Sequence, residues 1–174
     1  MTRINKINPI GLIAIALAVF LWNPMIAFSS EKGIVGLIEK VRICPGGLEF
    51  SAKLDTGARN SSLGVSQAVE FERNGEKWIR FDVANLKGEK RTIERKIIKQ
   101  ARIKRHKTSS VSRYVIKLGV CLGEHYREVE VNLEDRTGFN YRMLVGRSFM
   151  EGVFIVDPSL NFTTQPRCAE PCGN

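Results

Sequence analysis

Leu48-Glu49-Phe50-Ser51-Ala52-Lys53-Leu54-Asp55-Thr56-Gly57-Ala58 is the stretch on which the fold turns. Leu48, Phe50, Ala52 and Leu54 alternate with Glu49, Ser51 and Lys53, the period-two pattern of a half-buried strand. That strand runs without a break into a carboxylate and the small residues of a sharp turn. By average residue frequencies an Asp-Thr-Gly arises by chance in roughly a few per cent of chains of this size, so its placement matters more than the tripeptide. The plain reading is an Asx-turn: Asp55 accepts hydrogen bonds from backbone N–H groups two residues on, and Gly57 supplies a left-handed conformation. A chemical reading needs a second feature elsewhere in the chain.

The same alternation recurs on both sides. Ile79, Phe81 and Val83 alternate with Arg80 and Asp82; Tyr114, Ile116, Leu118 and Val120 form another strand; Val129, Val131 and Leu133 alternate with Glu128, Glu130 and Asn132. Turn chemistry separates them at Pro45-Gly46-Gly47, Asn74-Gly75, Lys87-Gly88, Leu122-Gly123 and Thr137-Gly138. Short strands at this spacing predict an all-β sandwich or small barrel, with one helical turn over Arg147 to Glu151 before a strand from Val153 to Val156. With 174 residues, 43% of them hydrophobic, the chain is an ordinary folding sequence of one domain, neither disordered nor collagen-like. A net charge of +9 draws it to anionic surfaces and leaves the fold open.

Arg3 and Lys6 precede a low-polarity run from Ile10 to Trp22, and small residues follow Asn23-Pro24, the layout of a secretory signal peptide over residues 1–29. An uncleaved anchor is the alternative. Cleavage removes two cations and no acid, taking the charge from +9 to +7. Export to the periplasm or medium places Cys44, Cys121, Cys168 and Cys172 in an oxidising compartment, where an even count predicts two disulfides. The favoured pairing is Cys44 with Cys121, each at a strand end, and Cys168 with Cys172 in a polar C-terminal tail. A four-cysteine zinc site lacks any C-x-x-C spacing, and His106 and His125 are the only histidines.

The second feature is Met143-Leu144-Val145 running into Gly146-Arg147 far downstream. A hydrophobic run ending in glycine after an Asp-Thr-Gly-Ala resembles the retropepsin-type aspartic peptidases. The fuller resemblance is to a bacterial family described as retropepsin-like aspartic endopeptidases and labelled ATP-dependent zinc proteases. It rests on Ala52 to Ala58, Ser61-Ser62-Leu63, Phe71-Glu72-Arg73 with Trp78-Ile79-Arg80-Phe81, Arg113-Tyr114-Val115-Ile116, Asp135-Arg136, Met143 to Arg147, and Ile155-Val156-Asp157-Pro158-Ser159, in the family's order. The resemblance covers roughly Leu37 to Phe162. It implies a closed acid-protease-like β-barrel with one short helix over residues 30–162, leaving 163–174 as a tail with a cysteine pair. It also implies an active-site loop of Asp55, Thr56, Gly57 and Ala58 beneath a crossing segment, with Gly146 allowing close backbone approach. Gly64 stands where the family often carries histidine. No Walker A loop supports ATP and no H-E-x-x-H supports zinc, so neither a cofactor nor a metal is expected.

Aspartic hydrolysis takes two carboxylates that share one proton. Asp55 is one, and Asp135-Arg136-Thr137-Gly138 carries an inserted arginine and reads as a turn. Unless Asp157 folds in as partner, the site is a homodimer contributing Asp55 twice. Its cover is expected from the hairpin between Val69 and Asn85. Arg147 is expected to support the loop while pairing with Asp157 or Asp135, and Ser61 and Ser62 to be strand and turn polar groups. From Lys87 to Lys107 ten Lys or Arg fall in 21 residues, which reads as the solvated face of two strands. Its functional reading is an anion site at Arg102, Lys104 and Arg105, with nucleic acid disfavoured because no aromatics interleave. The leading expectation is an exported aspartic peptidase cutting a peptide or cell-envelope peptide. Its rivals are a non-catalytic module docking an anionic envelope component or partner protein through this segment, and a metal-dependent protease.

Overall fold

Period-two alternation becomes strand almost wherever it occurs. The structure, a computed structural model, describes residues 31–105 and 108–168, and of 103–105 and 108–110 no more than the backbone. In chain order it has β1 (Gly33–Cys44), β2 (Glu49–Asp55), β3 (Ser61–Gly64), β4 (Ser66–Arg73), β5 (Glu76–Ala84) and β6 (Lys90–Arg105). There follow β7 (Thr108–Leu122), β8 (His125–Glu134), β9 (Met143–Gly146), a single helical turn α1 (Arg147–Met150) and β10 (Phe154–Asn161). The strands hydrogen-bond in the order β10-β1-β2-β9-β3-β8-β7-β6-β5-β4. A further antiparallel pairing of β1 with β7 closes β1, β2, β9, β3, β8 and β7 into a ring.

The core fills that ring. Phe50, Ala52 and Leu54 of β2 point inward and Lys53 outward; Val129, Val131 and Leu133 of β8 point inward and leave Glu128, Glu130, Asn132 and Glu134 on the outer face. Burying each larger side chain contributes about 1.5–3 kcal/mol, enough in sum to fix which face each strand presents. Asn74 and Gly75 both take positive φ, 53° and 75°, the tight turn their sequence predicts between β4 and β5.

Three expectations change. The basic stretch builds one 16-residue strand, β6, whose halves serve different neighbours: Lys90 to Lys96 pair with β5, and Ile97 to Arg105 with β7, across a bulge at Ile97/Lys99. Asn85 starts it, its Oδ1 accepting from the N–H groups of Lys87 and Glu89 at 3.0 Å. The expected bridge between Cys44 and Cys121 is absent, because Cys121 bonds Cys168 with Cα atoms 5.9 Å apart. In the β1–β7 register Cys121 faces Arg42 and Cys44 faces Gly119, so the two cysteines are not opposed. Cys44 is itself disulfide-bonded; Cys172 and residues 1–29, expected as a signal peptide, lie outside the described residues. Residues 163 to 168, expected as a tail, are tied to the ring. Glu39, fully buried, accepts from Thr163 N (2.9 Å), Thr163 Oγ1 (2.6 Å) and Gly36 N (2.7 Å) at Oε1, and from Thr164 N (3.2 Å) at Oε2. Arg167 N then donates to Gly123 O at 2.6 Å and brings Cys168 to Cys121.

Candidate active site

Asp55 is the last residue of β2 and lies opposite Gly146 where β2 and β9 run parallel. Its Oδ1 accepts from Gly57 N at 3.0 Å and Ala58 N at 3.1 Å, so the carboxylate is held by the turn it begins. Gly57 is not in the left-handed region, contrary to the Asx-turn expectation. Crowding explains the glycine instead, since a Cβ there would stand 3.2 Å from Asp55 Oδ1. Gly146 answers to a stricter demand. A Cβ at that position would lie 2.6 Å from the carbonyl carbon and oxygen of Asn60, so β9 and the segment after the turn cross in direct backbone contact. Ser61, fully buried, accepts from Gly146 N at 3.1 Å and props that crossing.

Arg147 and Ser148 complete the frame. Their N–H groups donate to Ala58 O (2.9 Å) and Arg59 O (3.0 Å), while the Arg147 guanidinium reaches back to Thr56 O (2.9 Å) and Gly57 O (3.0 Å). The expected ion pair of Arg147 with Asp157 or Asp135 does not form. Asp157 instead accepts from Ser159 and Asp135 from Thr137, and in each case the neighbouring hydroxyl holds the carboxyl below its ordinary range. Spending Arg147 on carbonyls orders the loop without pinning a cation on Asp55. Nor is Asp157 placed as a proton-sharing partner: it pairs with Gly36 on the far side of β1. Two strand spacings, about 10 Å, separate it from β2.

Asp55 opens on a cavity of about 530 Å³ along the outer face of the ring. Ala101 and Arg113, from the β6–β7 hairpin, line its far side; no residue of the Val69–Asn85 hairpin, expected as cover, does so. On its floor Glu134 is bracketed by two guanidiniums, Arg113 Nη2 at Oε2 and Arg136 Nη1 at Oε1 (2.8 Å). Arg136 also donates from Nε to Tyr141 O (2.9 Å) and stacks 4.5 Å over Phe139. The turn over Asp135 to Gly138 exists as expected, but it serves to throw Arg136 inward, where its side chain is 7% exposed. Sequence reasoning gave Arg113, Asn132, Glu134 and Arg136 no site role: Arg113 and Arg136 stood in segments of the resemblance, and Asn132 was read as an outward position in the alternation of β8. Gly64 packs directly on this arginine, since a Cβ there would meet Arg136 Cβ at 2.9 Å. The stem of Arg136 and the Arg142 carbonyl thus occupy the space a side chain at 64 would need, and the glycine there offers no ligand for zinc. Of the candidate anion site, Arg102 is exposed on β6, and Lys104 and Arg105 are placed by backbone alone at its end.

Comparison with known proteins sets this geometry among relatives. Residues 34–167 match the RimB-like family, described as "Retropepsin-like aspartic endopeptidase RimB". A Shewanella halifaxensis protein named "Probable alpha-L-glutamate ligase" is 38% identical over 116 residues, 65% of this chain and 25% of that protein. A protein of the same name from Parasynechococcus marenigrum is 34% identical over 133 residues, 74% of this chain and 28% of that protein. The chain thus spans about a quarter of the length of these curated relatives. A crystal structure of a Legionella pneumophila protein of unknown function (DUF785) superposes with a TM-score of 0.67 at 34% identity, covering 76% of this chain and 98% of that one. With the crossing at Gly146, the Asp55 turn and a family match over nearly the whole described region, the chain belongs to the RimB-like family of retropepsin-like aspartic endopeptidases.

Proposed function

We propose that the chain is an aspartic peptidase that acts as a symmetric homodimer and hydrolyses a peptide or isopeptide bond in an acidic, glutamyl-bearing chain. The observation that carries this reading is the Asp55 turn itself: a carboxylate held by two backbone N–H groups, with the loop carbonyls behind it taken up by Arg147. That arrangement fixes one oxygen and leaves the carboxylate facing a cavity where a water and a scissile carbonyl fit. Glu134 is the other carboxylate lining the cavity, and its two oxygens are each taken by an arginine, Oε2 by Arg113 and Oε1 by Arg136. The second carboxylate in this reading is the Asp55 of a second copy. Thr56 and Gly57 are exposed, which leaves the loop open for that approach.

In the dimer one Asp55 would take a proton from the attacking water while the other gives one to the carbonyl oxygen. Neither ATP nor a metal enters this scheme. The substrate class draws on two supports: Arg59, Arg113 and Arg136 line the cavity against Asp55 and Glu134, and the curated relatives are named for glutamate ligation. Export through residues 1–29 belongs to the same proposal. Because the matched stretch is only a quarter of those relatives, a non-catalytic module that binds an acidic chain is the competing reading. The deciding experiment incubates the protein with glutamyl peptides across about pH 4–7 beside Asp55→Asn and follows mass by sedimentation. A dimer whose hydrolysis vanishes in Asp55→Asn supports the peptidase; binding without hydrolysis in both proteins leaves the module.

A further inference from the structure

Arg42, half-buried on β1, has no carboxylate to answer its charge among the described residues. Glu49, its cross-strand partner on β2, makes no ion pair with it, and its Nε is occluded without a hydrogen-bond partner. In the bonds described, the guanidinium meets one group, and that group is a sulfur. Nη2 stands 3.9 Å from Sγ of Cys121, the residue opposite on β7. The same sulfur is bonded to Cys168, whose backbone N–H also donates to it at 3.2 Å. A cation withdrawn from water is costly without a counter-charge, and the sulfur of a neutral disulfide supplies little of one. A thiolate at Cys121 would supply it in full.

The bond beside Arg42 closes a strap. Thr163 and Thr164 are held by Glu39; beyond them the described ties to the ring are Arg167 N on Gly123 O, at 2.6 Å, and the disulfide itself. We infer that Cys121–Cys168 is an exchangeable redox clasp on residues 163–168, with Arg42 placed to receive the Cys121 thiolate when the bond opens. The reductant is a dithiol. Cys121 is fully buried and Cys168 half-buried, so the attack falls on the Cys168 sulfur. The first thiolate of the dithiol bonds to Cys168 Sγ, and the S–S electron pair leaves with Cys121 beside the guanidinium. The second thiolate of the dithiol then displaces Cys168 and closes the dithiol into a disulfide. Two electrons pass to the protein, and two protons follow to give the Cys121 and Cys168 thiols. A cation beside the leaving sulfur favours its thiolate, and a better-stabilised thiolate leaves faster. Opening the clasp leaves the strap held by Glu39 at one end and loose at the other. Nothing in this inference depends on the peptidase reading.

The test treats the oxidised full chain with dithiothreitol in the absence of denaturant, quenches at intervals with N-ethylmaleimide and maps the labelled cysteines by mass spectrometry. Cys121 and Cys168 are expected to label together and before Cys44, while hydrogen exchange rises over 163–168 and stays low in the ring. Arg42→Met should open the bond about 3–10-fold more slowly than wild type, and Arg42→Lys, which keeps a cation, should stay within about twofold of it. The direction separates this role from packing: a variant that merely loosened the ring would let the reductant in and open faster. Should Arg42→Met not fold, Arg42→Gln carries the same expectation, and the order of labelling is read on the wild type alone. Labelling of Cys44 first, or of all the cysteines in one step with exchange rising everywhere, overturns the clasp. An Arg42→Met or Arg42→Gln protein that opens as fast as wild type or faster overturns the part given to Arg42.

Discussion

A methyl group at position 146 has no room. Its neighbours would be the Asn60 carbonyl at 2.6 Å and Arg59 O at 2.7 Å, backbone atoms that cannot rotate away. Gly146→Ala must therefore separate β9 from the Asp55 turn, breaking the bonds from Arg147 N and Ser148 N to Ala58 O and Arg59 O. Overpacking typically costs about 1–3 kcal/mol, and this contact belongs at or above the top of that range. Chemical denaturation should show a loss of at least about 2 kcal/mol. Asp55 behaves differently at the same scale. Asp55→Asn retains an oxygen at Oδ1 for Gly57 N and Ala58 N and should unfold within about 0.5 kcal/mol of wild type, whereas Asp55→Ala strands both donors and should lose roughly 1–2 kcal/mol. Melting curves of the two variants side by side separate the turn's structural work from its chemistry.

At the scale of elements, the alternating strands were legible and the ties between them were not. Leu48 to Leu54 announces β2, and Asn74-Gly75 announces the β4–β5 turn, because period and turn type are local properties of the chain. Arg136 was not legible, since nothing local distinguishes a turn arginine in solvent from one that tertiary packing drives under Gly64. Cys121 finding Cys168 depends on Glu39 gripping Thr163 and Thr164, a contact across the sequence that no window sees. Glu39→Ala should accordingly leave several buried donors unpaired and cost about 3 kcal/mol or more, with hydrogen exchange rising first over 162–168. A second carboxylate supplies a pH test. Glu130 is held below its ordinary value chiefly by the hydrogen bond from Lys99 Nζ (2.7 Å), with Asn60 Nδ2 adding a second at 3.0 Å. A depressed carboxyl stabilises fully above its unfolded value, near 4.5, and the contribution fades as pH falls through the lower folded value. The melting-temperature gap between wild type and Glu130→Gln should thus be open at about pH 6 and narrow steadily below about pH 4.5.

For the whole molecule, the edge of the sheet carries the assembly question. Among the described strands β10 ends the order with β1 alone beside it, so its outer side pairs with no other described strand. Ile34 and Ile155 are cross-strand partners there and are 62% and 54% exposed; Leu160 and Phe162 continue the apolar surface at 40% and 48%. Soluble chains seldom leave so many large apolar groups together on an unprotected edge unless something covers them. The patch is also well placed: the β1–β2 register, continued two residues beyond Ile38 and Lys53, puts Gly36 beside Asp55, and Ile34 lies just past it. A twofold axis near that edge would cover the isoleucines and bring the Asp55 turns toward each other in one step. If so, Ile34→Asp with Ile155→Asp removes two buried isoleucines from each protomer, about 1.5–3 kcal/mol apiece, and the dimer dissociation constant should rise on the order of a hundredfold or more. Sedimentation equilibrium reads the shift, and hydrolysis should fall with dimer fraction and recover at high protein concentration. Asp55→Asn should stay dimeric and inactive at every concentration. A double variant that remains a dimer, or one that turns monomeric with full activity, would place the second carboxylate somewhere other than across this edge.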